Sequence, residues 1–315
     1  MAQLLRKYPV PAAGLMLGLA AAGNLVQSYG EAYRSVFGVL SAVLFVLMLA
    51  KIVKYPKGVA EALGNPVVAS VSPTFSMAIM LLAAYLKPYI QSAAIVMWII
   101  GFILHILLIL WFTKKYVFNF KVKQVFPSWF IVYVGIVVAS VTGPAFKMNM
   151  LAQAAFWFGF VTYFILLAVV LYRVLKIKEI PEAALPTLAI FAAPASLLLA
   201  GYMNSFQVKS MVIVWLLVVL SLVMYAVVVI TMFKLLKLKF YPSYSAFTFP
   251  FVISGIAMKL TNGFLIKSGR QISALKYLIK FQEAVAVILT LYVLLRYIQF
   301  VFSKEKSAAK VSIKA

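Results

Sequence analysis

The sequence has no cysteine and no aspartate, a single histidine (His105) and six glutamates among its 315 residues. Without cysteine, disulfide frameworks, thiolate metal sites and cysteine nucleophiles are excluded. One histidine and no aspartate also remove most hydrolytic and metal-dependent constellations, so neither an enzyme nor a cofactor is expected. Charge is scarce altogether: 11% of residues are charged, against about 25% in an ordinary soluble domain. What is abundant is apolar surface, 65% of the residues, with a mean hydropathy of +1.06. A soluble single core is therefore excluded, and an all-α polytopic membrane protein is the class that remains.

A spanning helix needs roughly 20 mostly apolar residues. Ten segments qualify: 10–28, 34–53, 67–86, 91–112, 126–146, 150–172, 185–203, 210–233, 243–262 and 277–301. The first follows Arg6 and Lys7 as a secretory signal would, but it is expected to be retained as a helix. Residues 1–302 are thus read as one ten-helix transmembrane domain, and 303–315 as a short basic cytoplasmic tail. Placing both termini and the even-to-odd loops on one side puts 20 of the 29 Lys and Arg there and leaves nine opposite. The positive-inside bias then sets both termini in the cytoplasm of a plasma or inner cell membrane. The formal charge of +23 is topological and faces anionic headgroups of the bilayer. No nucleic acid is expected as a partner, because no basic domain stands apart from the spans.

Prolines supply an internal repeat. Within spans they occur only in odd-numbered ones: Pro11, Pro73, Pro127, Pro144, Pro186, Pro194 and Pro250. Pro11, Pro73, Pro127, Pro186 and Pro250 are separated by 62, 54, 59 and 64 residues, close to one per helical hairpin. Composition divides the same two sets. Even spans carry large apolar runs such as Val43-Leu44-Phe45-Val46-Leu47-Met48-Leu49, whereas odd spans mix in Gly14, Gly18, Ser70, Ser72, Thr74, Ser140 and Thr142. Bulky apolar surface belongs against lipid, and broken helices are tolerated only where protein or a watery cavity covers them. The expected fold is therefore five quasi-repeated hairpins, with five odd helices as an inner pore ring and five even helices around them. Pro11, Gly14, Pro73, Pro127, Pro194 and Pro250 are the candidate kink and pore-lining positions, each proline interrupting the helical ladder so that backbone dipoles can turn inward.

The odd helices hold no acid, and their only base is Lys259, near the outer end of the ninth. Such a ring favours anions without holding them tightly, and Lys259 would draw anions to the outer mouth by long-range attraction. A proton- or sodium-coupled carrier would ordinarily show an intramembrane carboxylate, which the ring lacks. Glu283, in the tenth span, is expected to pair with Lys280 three residues earlier, and His105, in the fourth, to hydrogen-bond a neighbouring helix.

The ninth span opens Tyr241-Pro242-Ser243-Tyr244-Ser245-Ala246-Phe247-Thr248-Phe249-Pro250-Phe251. This string resembles the tellurite-resistance/C4-dicarboxylate transporter (TDT) family, which includes TehA-like proteins and the plant guard-cell slow anion channels. Pro9-Val10-Pro11-Ala12-Ala13-Gly14-Leu15-Met16-Leu17-Gly18-Leu19 resembles that family's first helix, and Phe126-Pro127-Ser128-Trp129 the start of its fifth. The resemblance implies a homotrimer of ten-helix pores that pass small inorganic or organic anions, each gated by a phenylalanine of the ninth helix. Phe249 stands at that position. Phe247, Phe249 and Phe251 cannot share one helical face, and the adjacent Pro250 would aim Phe249 toward the axis.

Two functions follow. The first is an anion channel or uniporter occluded by Phe249. The alternative is a proton-coupled secondary transporter of C4-dicarboxylate, sulfite or tellurite-type anions. With no acidic residue in the odd helices, purified protein in planar bilayers should favour anions over cations and pass nitrate more readily than chloride, since the more easily dehydrated ion crosses an apolar pore faster. A cation-selective current would refute this.

Overall fold

The computed structural model describes residues 2–303. All but one residue of the expected tail at 303–315 lies outside them. Among the described residues the regular structure is entirely helical. In chain order the α-helices are α1 (Ala2–Lys7), α2 (Ala12–Val26), α3 (Glu31–Lys54), α4 (Pro56–Ala62), α5 (Pro66–Val71), α6 (Thr74–Leu86) and α7 (Gln91–Phe112). They continue with α8 (Trp129–Tyr133), α9 (Val138–Thr142), α10 (Asn149–Tyr172), α11 (Ala193–Ser205), α12 (Met211–Leu235), α13 (Phe249–Lys267) and α14 (Leu275–Phe302).

Where the sequence predicts ten spans, eight helical segments of the described residues are long and apolar enough to cross a membrane. The other two fall short for a local reason. Helix α2 begins only after Pro11 and runs for 15 residues. The fifth segment is cut into α8, a 3₁₀ turn at Gly135–Val137, α9 and a second 3₁₀ turn at Gly143–Phe146. Its Gly135, Gly143 and Pro144 and its β-branched run all weaken a continuous α ladder.

Four of the prolines expected to kink continuous helices instead start them, while Pro186 lies inside a 3₁₀ helix. Pro11 and Pro73 immediately precede α2 and α6, while Pro194 and Pro250 sit in the first turns of α11 and α13. A proline there loses no ladder hydrogen bond, because the first turn's N–H groups have no partner within the helix. The residues before α11 and α13 form 3₁₀ helices, Glu182–Ala192 and Pro242–Phe247, so each of those segments is a 3₁₀-to-α joint.

Burial alternates along the chain. In the most apolar 18-residue stretches of the proline-bearing segments Pro66–Leu86, Glu182–Ser205 and Pro242–Lys267, 78%, 83% and 61% of the residues are buried, whereas in those of α3, α7, α10, α12 and α14 only 22–33% are. Every residue of α2 except Asn24 is buried. Contacts follow the same division. Helix α2 packs on α6, α6 on α9, α9 on α11, α11 on α13 and α13 on α2, which closes a circuit of five buried segments. Each of these also packs against the long helix that follows it: α3, α7, α10, α12 and α14 respectively. Those long helices present Val46, Leu110, Ile165, Val219, Ile230 and Leu295 outward. In water such a surface would drive aggregation; hydrocarbon solvates it without cost.

The two layers are pinned by close approaches. A Cβ on Gly38 of α3 would stand 2.6 Å from the ring of Tyr85, whose hydroxyl donates to Ala20 O at 2.6 Å. One tyrosine thus locks α2, α3 and α6 together.

Candidate functional site

Inside the circuit lies a small cavity, about 40 Å³. All five buried segments line it, and none of the long outer helices does. Gly14 and Leu17 come from α2, and Val71, Thr74 and Met77 from the α5–α6 segment. Phe130, Ile131, Val134 and Gly135 come from α8 and the turn after it; Ile190, Ala193, Pro194 and Leu197 from the α11 segment; Ser245, Ala246, Phe249 and Pro250 from the α13 segment.

No charged side chain lines this cavity. Even its polar groups are partly spent on the backbone: the Thr74 hydroxyl donates to Val71 O at 2.7 Å. The amides beside Pro11 are also engaged. Ala12, Ala13 and Gly14 N–H donate to the carbonyls of Pro9, Val10 and Pro11 at 3.0, 3.1 and 2.9 Å. The inward-turned N–H groups expected from the prolines are therefore not found at that joint, because a 3₁₀ turn satisfies them. The wall is apolar, and weak in its hold on any ion.

Of the residues singled out from sequence, Gly14, Pro194, Phe249 and Pro250 meet at the cavity. Pro11, Pro73 and Pro127 do not line it; they lie at or before the starts of α2, α6 and α8. The three ninth-span aromatics separate. Phe247 packs on Tyr244 with ring centroids 4.7 Å apart, and Phe251 meets Tyr225 edge-on at 5.6 Å. Phe249 alone of the three is among the lining residues. Sequence reasoning missed Phe130, a second lining aromatic, whose ring lies 5.8 Å from Phe191 and 5.9 Å from Tyr163. Its only signal in the sequence is its place three residues after Pro127.

His105 is fully buried on α7. Its Nδ1 pairs with Ser76 Oγ at 2.8 Å and its Nε2 with Val132 O at 3.1 Å. A carbonyl only accepts, so Nε2 carries the hydrogen. A Cβ on Gly135 would stand 3.0 Å from His105 Cε1, which places the imidazole directly behind the cavity wall. It ties α7 to α6 and α8.

Glu283 does not pair with Lys280, as the sequence reading has it. Its Oε1 meets Lys259 Nζ at 2.5 Å, and its Oε2 accepts from the Tyr29 hydroxyl at 2.6 Å. The reason is helical face: Glu283 lies with Ile279 and Gln282 on the buried side of α14, while Lys280 is exposed. Lys259 also donates to Leu25 O at 2.9 Å and Ser28 Oγ at 2.7 Å, so it joins the end of α2 to α13 and α14. The hydrogen bond from Tyr29 to the Glu283 carboxylate, helped by burial, holds the phenol's pKa above its usual value.

The sequence model of the SLAC1 voltage-dependent anion channel family matches residues 8–298. The chain is also 31% identical over 168 residues to "Uncharacterized transporter MJ0762" of Methanocaldococcus jannaschii, an alignment covering 48% of each chain. It thus matches about half the length of that relative. The family match agrees with the resemblance drawn from the proline-bearing segments: the chain belongs to the voltage-dependent anion channel family.

The ion pair sets a stability test. Lys259→Gln strands a carboxylate that is 7% exposed, while the lysine side chain itself is 33% exposed. Its cost should be roughly 2 kcal/mol, below the ~3–5 kcal/mol of a fully buried broken pair. Lys259→Gln/Glu283→Gln should recover most of the loss in thermal melting of the detergent-solubilised protein. Equal melting of the single and double variants would show that the stranded charge is not the cause.

Proposed function

We propose that this member of the voltage-dependent anion channel family passes small anions passively through the central cavity, with Phe249 closing the path at rest. One observation carries the reading: a cavity without charged side chains, lined by all five proline-bearing segments, holds the Phe249 ring. An apolar ring cannot replace an ion's hydration shell, so at a constriction it blocks by sterics and dewetting. The architecture that goes with this function is five hairpins in each of three subunits, the odd segments inside and both termini cytoplasmic. The 20-to-nine distribution of Lys and Arg supports that orientation. Lys259 belongs to the outer mouth, its attraction for anions reduced by Glu283 beside it.

The alternative, proton-coupled transport of a dicarboxylate, sulfite or tellurite-type anion, needs a protonatable group that faces the path. Glu283 is committed to Lys259 and Tyr29 and is not among the cavity-lining residues, which favours the passive reading.

Voltage clamp of the reconstituted protein, with and without a pH gradient, separates the two. Currents should reverse at the anion Nernst potential; reversal that follows the proton gradient would establish coupling. In the same assay the unmodified protein should conduct poorly, and Phe249→Ala should raise the current at least about tenfold, equivalent to ~1.4 kcal/mol of barrier. Phe247→Ala and Phe251→Ala, which remove packing on tyrosines, should leave it far less changed and chiefly lower stability. Equal currents from all three variants would remove Phe249 as the gate.

A further inference from the structure

Phe249 occupies an awkward place in the chain. It follows Thr248, whose backbone (φ −103°, ψ −83°) belongs neither to the 3₁₀ helix before it nor to the α-helix after it. Pro250, next in line, has no N–H to give. Only from Phe251 onward is the new helix anchored, with the Phe251 and Val252 amides both donating to Thr248 O at 3.2 and 3.3 Å. The direction in which Phe249 leaves the backbone is therefore governed by the Thr248 peptide, and what holds Thr248 decides where the ring sits.

What holds it is α2. Gly14 and Gly18 lie one turn apart on the same face of that helix. A Cβ on Gly18 would stand 2.3 Å from Thr248 Oγ1, 2.4 Å from Thr248 Cβ and 3.2 Å from Phe249 N. A Cβ on Gly14 would stand 2.8 Å from Ser245 Oγ. The approaches to Thr248 Oγ1 and Cβ are well below any real Cβ contact, so the threonine is seated in a notch that only glycine leaves open. The seat is also hydrogen-bonded: Thr248 Oγ1 shares its one hydrogen between Ser245 O at 2.8 Å and Gly14 O at 3.1 Å. Thr248 is fully buried.

We propose that Gly18 and Thr248 are positioning residues for the gate: the threonine wedged against the α2 notch holds the Phe249 ring in its occluding place. This rests on the reading of Phe249 as the gate. A ring seated in a narrow path blocks from one position, and displacement in any direction opens it. Because Thr248 Cβ is fixed by the backbone, a methyl at position 18 cannot be absorbed by a side-chain rotation; α2 and the start of α13 must part. The wedge thereby makes pore closure depend on how tightly the first and ninth segments pack.

Single-channel and macroscopic currents of reconstituted variants test this. Gly18→Ala should raise anion current several-fold toward the level of Phe249→Ala, and Gly18→Ala/Phe249→Ala should pass no more than Phe249→Ala alone, because a missing ring cannot be misplaced. Thr248→Ser, which keeps both the Cβ and the hydroxyl, should stay closed. Thr248→Val, of the same shape without the hydrogen bonds, should leak. If Phe249→Ala opens the pore while Gly18→Ala and Thr248→Val remain as closed as the unmodified protein, the wedge is refuted and the gate stands. Independent, multiplying effects in the double variant would also refute it. If Phe249→Ala leaves the current unchanged, the gate itself is refuted. Should Gly18→Ala fail to assemble, the contrast between Thr248→Ser and Thr248→Val decides alone.

Discussion

Hydrocarbon offers no hydrogen bonds, and most of this structure follows from that. A backbone amide or carbonyl facing lipid must find its partner within its own helix, so a segment that meets lipid has to be a continuous α-helix. Helices α3, α7, α10, α12 and α14 obey: none contains a proline, and each presents large apolar side chains outward. The proline-bearing segments escape the constraint only because those helices cover them. There the chain can afford 3₁₀ turns, helix starts in mid-segment and the break at Thr248, since protein surrounds every irregular stretch. The alternation of two helix types is thus a division of labour between solvating lipid and shaping an interior.

The same constraint governs charge. A lone ion pair within the spans is costly unless its members satisfy each other, and Lys259 with Glu283 does so with help from Tyr29, Ser28 and a carbonyl of α2. The cavity, by contrast, holds no charge, and the Thr74 hydroxyl on its wall is turned back to its own backbone. An ion crossing such a wall is neither strongly held nor strongly repelled by fixed charge, so its dehydration sets the barrier. In the passive conduction proposed above, weak binding comes from the absence of groups rather than from their placement.

Much of this was legible in the sequence. The restriction of Pro11, Pro73, Pro127, Pro186, Pro194 and Pro250 to alternate segments separates the buried layer from the lipid-facing one, because proline and bulky apolar runs answer to opposite demands. The number of long helices was not legible. Whether a proline bends a helix or begins one depends on whether the preceding residues can close 3₁₀ turns against their neighbours, as they do before Ala12 and before α13. Ion partners were not legible either. Sequence distance favours Lys280 for Glu283, but the face of α14 that packs inward selects Lys259 from another helix. Phe130 was not legible because only the fold decides which aromatic of the segment after Pro127 reaches the cavity.

The position of Phe249 at a helix start, rather than at a kink within a helix, changes how the gate proposed for it would work. A bent helix is a spring: both sides of the kink keep most of their ladder, and the angle relaxes gradually under load. Thr248, between a 3₁₀ helix and a new α-helix, keeps backbone bonds to both, its N–H donating to Ser245 O at 3.3 Å and its carbonyl accepting from Phe251 and Val252, and its side-chain contacts, which are either made or lost, fix its seat on α2. Thr248 supplies two such contacts to α2 and the 3₁₀ turn, and close-packed glycine leaves no intermediate seat. Packed contacts of this kind favour discrete arrangements over continuous deformation. In the gating proposed above, a ring held this way opens by leaving its seat, and the packing of the first segment on the ninth is what would oppose it.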